Sequence, residues 1–197
     1  FLIGSNFLLI FVITKIYGLS EAGFFLVAKR ITFIPIEVFG NSLSTIYFQK
    51  FSDIAQKNKI TLKPFNLSLF FSILILIPIT LTLFFGSEFL VDKFLPERWT
   101  NLSNIAIALI PFMTSKLLIA SVDKTPISLK KPIYITFWNV YQFLSLFLIL
   151  YINDIFNIQL NNFIGIFGGL ILCGAIVYLY ILRNLIKKAS LSNKYYF

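Results

Sequence analysis

Six apolar runs, charged at few positions, alternate with short polar segments along the chain. They cover residues 1–17, 22–48, 65–85, 105–122, 133–152 and 163–182, and a basic tail occupies 183–197. Each run is close to the roughly 20 residues that carry an α-helix across a bilayer. The pattern therefore predicts an all-α, polytopic membrane protein, a single bundle of six transmembrane helices spanning the whole chain. Gly18-Leu19-Ser20-Glu21-Ala22-Gly23 reads as the first turn, with Ser20 able to cap the second helix. Pro35, Pro78 and Pro111 fall inside the second, third and fourth runs, either kinking helices around a cavity or standing as ordinary membrane-helix prolines.

Composition sharpens this picture. Of 197 residues 58% are hydrophobic and only 13% charged, against about 25% charge in soluble domains. The formal charge is +9, which in a soluble chain would suggest nucleic acid; here it reads as topology, and no nucleic-acid partner is expected. Threading six helices places Lys50, Lys57, Lys59 and Lys63 on one side with Lys124, Lys130 and Lys131 and with Arg183, Lys187, Lys188 and Lys194. The opposite side holds Lys15, Lys93 and Arg98. Cytoplasmic loops carry the Lys/Arg excess, so both termini of the segment are expected in the cytoplasm. The chain starts at Phe1 within an apolar run, with no basic n-region or cleavage site, and reads as a piece of something longer.

There is no His, and Cys173 stands alone. An internal disulfide, a cysteine metal cluster and the usual proton shuttle are thereby excluded; no metal and no cofactor is expected. No phosphate-cradling loop or nucleophile elbow is present. Enzyme chemistry would have to rest on Glu37 in the membrane or on Glu88, Asp92, Glu97, Asp123 and Asp154 in loops, so the chain reads as a non-enzyme.

The informative charges are those inside the spans: Lys29, Arg30, Glu37 and Lys116. Such groups are costly in lipid and usually face a bundle interior or an aqueous cavity. Arg30 and Glu37 lie two helical turns apart on one face, about 10 Å along the axis, which is too far for a close salt bridge. Asn41 and Ser44 extend that polar stripe. Lys29, Arg30, Glu37, Asn41 and Lys116 are thus the candidate cavity-lining residues. Plainer readings stand beside this one. Lys29 and Lys116 can snorkel to an interface, and Arg30 and Glu37 can serve as a structural pair through water or with residues elsewhere.

Other features carry less. Gly165 to Gly169 forms a GxxxG on the sixth run, read as close helix packing, with homodimerisation as the lesser alternative. Cys173 beside Gly174 and Ala175 reads as a small packing residue. Phe24, Phe25, Tyr141, Tyr151, Tyr178 and Tyr180 read mainly as lipid contacts and interface anchors. In the stretch Lys50 to Pro64, Phe51, Ile54 and Ala55 have helical spacing, suiting either a helix on the membrane surface or a solvated linker.

A family resemblance runs along nearly the whole chain. Tyr17 to Phe25, then Ala28-Lys29-Arg30-Ile31, Pro35, Gly40-Asn41-Ser42 and Phe48-Gln49-Lys50 resemble the polysaccharide-export flippases, the Wzx-type O-antigen and capsule translocases. Phe85 to Leu90, Phe94 to Trp99 and Pro126-Ile127-Ser128 are similar to later loops of that family, although Leu95-Pro96 stands where a glycine is usual. The resemblance implies a two-lobe transporter of the bacterial cytoplasmic membrane, of which this chain matches the C-terminal lobe. It implies outward flipping of an undecaprenyl-diphosphate-linked oligosaccharide, with the lipid bilayer and a missing N-terminal lobe as partners. A drug/cation antiporter of the same superfamily is the alternative; it would favour an acid-rich cavity, whereas basic residues here outnumber Glu37. A membrane polymerase or acyltransferase comes third, lacking a large outward loop or a His motif.

Overall fold

The structure is a computed structural model describing residues 2–57, 59–94, 96, 99 and 101–192. Its elements are α1 (Leu2–Tyr17), α2 (Leu19–Gln56), α3 (Lys63–Phe94), α4 (Asn101–Ala108), α5 (Ile110–Ala120), α6 (Thr125–Ser128), α7 (Ile133–Phe156) and α8 (Leu160–Ser192). Among the described residues there is no strand. Arg98, Glu97 and Lys194, which entered the reading of the sequence, lie outside the described residues.

By length and apolarity three helices suit a membrane crossing: Lys63–Phe89 of α3, α7, and Leu160–Leu191 of α8. A fourth is the broken pair formed by Asn101–Ala108 and Ile110–Ser128, bent by 41°. The bend has a covalent cause. Pro111 has no N–H to give to the carbonyl one turn back, and its ring crowds that turn. In contrast, Pro35 and Pro78 lie within unbroken α2 and α3. The six-span expectation is thus met by length and composition for three passes, or four with the bent pair counted as one span. Over its described, apolar part α1 is short (Leu8–Tyr17), and α2 does not pass the same test.

Several boundaries differ from the sequence reading. The first turn shrinks to Gly18, whose φ of 89° is open to glycine without penalty. Gly18 N–H still bonds the Thr14 carbonyl at 3.1 Å, so α1 and α2 meet at one residue. Ser20 sits inside α2, whose N-terminus has no side-chain cap. At its other end α2 runs through to Gln56, so Phe51 is neither on a membrane surface nor in a linker. It is fully buried and stacks on Tyr47 with ring centroids 5.2 Å apart.

The core is organised around α5. Phe112, Met113, Ser115, Leu117 and Ile119 are all buried, and two glycines let neighbouring helices close on it. A Cβ at Gly40 of α2 would come within 3.2 Å of the Ala120 Cβ. One at Gly168 of α8 would come within 2.9 Å of the Phe112 backbone nitrogen. The GxxxG reading is therefore corrected: Gly165 and Gly169 meet nothing within 4 Å, and the packing glycine is Gly168 between them. Gly174 does the same for α7, lying beneath the Tyr141 ring, while the Tyr141 hydroxyl donates to the Leu170 carbonyl at 2.6 Å. Cys173 is exposed, not packed. Phe25 and Tyr178 are buried in the core, whereas Tyr151 and Tyr180 do face outward.

The two ends of the bundle differ in chemistry. At one, Tyr17 reaches Asn153 Oδ1 and the Ile158 carbonyl, Asn161 donates to Asn101, Asn101 to Glu21, and Phe24 meets Trp99 edge-on. At the other, the end of α2, the α5–α6–α7 connection and the end of α8 come together, and most of the lysines gather there.

Candidate functional site

The predicted site residues divide between two faces of α2. Its core-facing stripe runs through Ala22, Phe25, Ala28, Thr32, Ile36, Gly40, Ser44, Tyr47 and Phe51. Lys29 lies beside this stripe and is half-buried. Its Nζ sits 5.8 and 5.9 Å from the centroids of the Phe25 and Phe33 rings. Arg30, Glu37 and Asn41 lie outside this stripe and are exposed. No ion pair joins Arg30 to Glu37 among the described residues; an ion pair does form at the end of α2, between Asp53 and Lys57, at 2.7 Å.

Lys116 comes from α5 and is also half-buried. Its Nζ donates to Gln142 Oε1 of α7 at 3.1 Å and lies 5.3 Å from the Phe112 ring centroid. Phe112 in turn meets Phe33 of α2 and Phe167 of α8, at 5.4 and 5.5 Å. Lys29 and Lys116 are near enough to act on one another electrostatically, and Lys29 also feels Glu37. The fold thus brings two ammonium groups from different helices onto one aromatic cluster inside the bundle. Like charges so placed repel, and an anion between them relieves that repulsion.

Gln142 was missed by the sequence reading. It is buried, and its Nε2 has no hydrogen-bond partner, an unsatisfied donor on the amide that Lys116 bonds. A neutral polar residue in an apolar run carries little signal, yet its place in a helix rich in Leu, Phe and Ile was the available clue. Ser44 is the converse case. It does not continue the Arg30–Glu37–Asn41 stripe but turns inward, donating to Asp123 Oδ1 at 2.8 Å. Tyr47 and Thr125 share a hydroxyl contact of 2.7 Å, and Ser68 of α3 donates to the Ser121 carbonyl at 2.9 Å. These bonds pin the connection after α5, whose backbone polar groups would otherwise be costly to bury. Among the described residues no three Cys, Asp or Glu side chains come together as metal ligands.

Apolar helices of spanning length and polar side chains held at their depth define this chain as a helical membrane protein. A family model described as "Polysaccharide biosynthesis protein" matches residues 3–104, in keeping with the resemblance to polysaccharide-export flippases. The chain belongs to that polysaccharide biosynthesis protein family. The matched segment takes in α1 to α3 with Lys29, Arg30, Glu37 and Asn41; Lys116 and Gln142 lie beyond it. No curated protein and no solved structure matches the chain.

Proposed function

We propose that the chain is the C-terminal lobe of a flippase that carries undecaprenyl-diphosphate-linked oligosaccharide outward across the bacterial cytoplasmic membrane, for O-antigen or related surface polysaccharide. In this reading α1 and α2 complete six crossings, the lysine-rich end faces the cytoplasm, and an N-terminal lobe closes a central cavity against the exposed stripe of α2. The chain performs no covalent chemistry; it binds, and rocks against its partner lobe.

The observation that carries the proposal is the seating of Lys29 of α2 and Lys116 of α5 on the joined Phe33 and Phe112 rings, with the Gln142 amide bonded to Lys116. Two ammonium groups and a free N–H donor suit a diphosphate, whose oxygens accept charge-assisted bonds. Arg30, on the outer face, is placed to meet phosphate or acidic sugars in a cavity, and Glu37 to exchange a proton or answer a cation during rocking. An antiporter for cationic drugs would gain nothing from paired lysines.

The test is complementation in the full-length protein, scoring surface polysaccharide at matched membrane levels. Arg30→Ala and Glu37→Gln are expected each to reduce export at least tenfold. Normal export by both variants refutes the assignment of the α2 stripe to the transport path. Normal export combined with loss of drug resistance would transfer the chain to the antiporter reading.

A further inference from the structure

At the lysine-rich end a cavity of about 930 Å³ opens between the end of α2, the α6–α7 connection and the end of α8. Lys130, Lys131 and Lys188 line it together with Phe48, Ile127 and Leu185, and among the described residues no acidic one does. These cations are not a local run: Lys188 belongs to α8, nearly sixty residues beyond the other two in sequence, and the fold alone brings it to them. Lys124 adjoins, its Nζ 5.3 Å from the Phe48 ring centroid.

The connection that presents Lys130 and Lys131 is held in a set shape. Lys130 adopts φ 55°, a left-handed conformation uncommon outside glycine. It is fixed there by the Lys130 N–H to Ile127 carbonyl bond at 2.9 Å and the Lys131 N–H to Pro126 carbonyl bond at 2.7 Å. Ser52 and Ser128 tie the connection to α2 through a 3.1 Å hydroxyl contact. Strain of this kind persists where surrounding structure over-determines it, commonly at ligand clamps.

The cavity also sits at the membrane boundary. Ile60, in its wall, precedes by three residues the start of the Lys63–Phe89 span, and Lys131 precedes by two the start of α7. A ligand there meets water on one side and acyl chains on the other. Cations over an apolar floor at that depth match a phosphate headgroup with its first methylenes, and not a neutral sugar or a free inorganic ion.

We propose that this cavity binds the phosphate headgroup of an anionic membrane lipid, at a site separate from the Lys29–Lys116 pair and independent of whether the protein is a flippase. The test uses the full chain in neutral detergent, titrated with tail-labelled phosphatidic acid, with labelled phosphatidylcholine and inorganic pyrophosphate as parallel arms. Lys130→Gln, Lys131→Gln and Lys188→Gln are each expected to weaken phosphatidic acid binding by about fivefold. Lys187→Gln, on the same helix but outside the cavity, is expected to change it by less than about twofold. Ile127→Ser, at an exposed wall position, is expected to weaken the lipid and leave pyrophosphate unchanged. Equal loss from Lys187→Gln and the cavity variants overturns the site in favour of diffuse surface charge. Pyrophosphate binding as tight as the lipid, with the lipid indifferent to Ile127→Ser, overturns the lipid assignment.

Discussion

Replacing Lys116 with methionine separates stability from function. Methionine keeps the unbranched stem and loses the charge. The loss comprises the 3.1 Å bond to Gln142 Oε1 and the contact over the Phe112 ring, about 1.5–3 kcal/mol for a charge-assisted bond and about 0.5–1 kcal/mol for the cation–π term. The gain is the removed penalty of a lysine at membrane depth, about 2.5–3.5 kcal/mol on an insertion scale, plus the end of repulsion from Lys29. The two sides nearly cancel, so thermal unfolding in detergent should move by no more than about 4 °C in either direction. Export should behave differently. If Lys116 holds a diphosphate oxygen, losing that bond costs about 1.5–3 kcal/mol in transport, a fall of roughly ten- to a hundredfold. Lys116→Arg, which keeps the charge, should recover part of it. Unimpaired export by Lys116→Met refutes the reasoning. So does a fall in export matched by a large drop in melting temperature and in membrane-inserted protein, because the lysine would then be structural.

Two further outcomes follow from the packing. Gly168→Ala pushes a methyl against the Phe112 backbone and should cost about 1–3 kcal/mol, whereas Gly169→Ala, meeting open space, should be neutral or slightly stabilising; equal melting temperatures for the two in detergent would refute the assignment of the close contact to Gly168. Ser44→Ala strips Asp123 of its 2.8 Å donor and should lower stability by about 1.5–3 kcal/mol, an effect that disappears in an Asp123→Ala background if the bond is its cause.

The helical class and the position of most helices were legible because membrane spans are set by length and apolarity, which are local properties. The errors arose where a side chain's role depends on which neighbour covers it. Phe51 and Phe25 look like surface or lipid aromatics in sequence, and burial decides otherwise. GxxxG names a spacing, but which glycine touches a backbone depends on helix rotation, and that rotation favoured Gly168. Ser44 was assigned to the stripe of Glu37, seven residues earlier. Yet seven residues fall about 20° short of two whole turns, and the covering connection with Asp123 draws Ser44 inward. Of the candidate site, Lys29 and Lys116 were found as isolated charges. Their convergence was invisible because it depends on α2 and α5 crossing closely, which Gly40 permits.

The distribution of polarity around the bundle explains why α2 fails a test for lipid-spanning helices that α3, α7 and α8 pass. The outward residues of α3 include Phe70, Ile73, Leu74, Ile77, Leu81 and Phe84, and those of α7 include Phe137, Val140, Leu144, Phe147 and Leu148; both faces suit hydrocarbon without exception among those side chains. The outward face of α2 instead mixes Arg30, Glu37 and Asn41 with Ile31, Ile34 and Val38. Lipid would charge several kcal/mol for that arginine and glutamate near mid-membrane, so a bundle surrounded by lipid on every side would select against them. A perimeter that is apolar over α3 and α7 and polar along one line of α2 is what a lobe has when one side meets a wet cavity. That asymmetry, more than any single residue, supports the transport function proposed above.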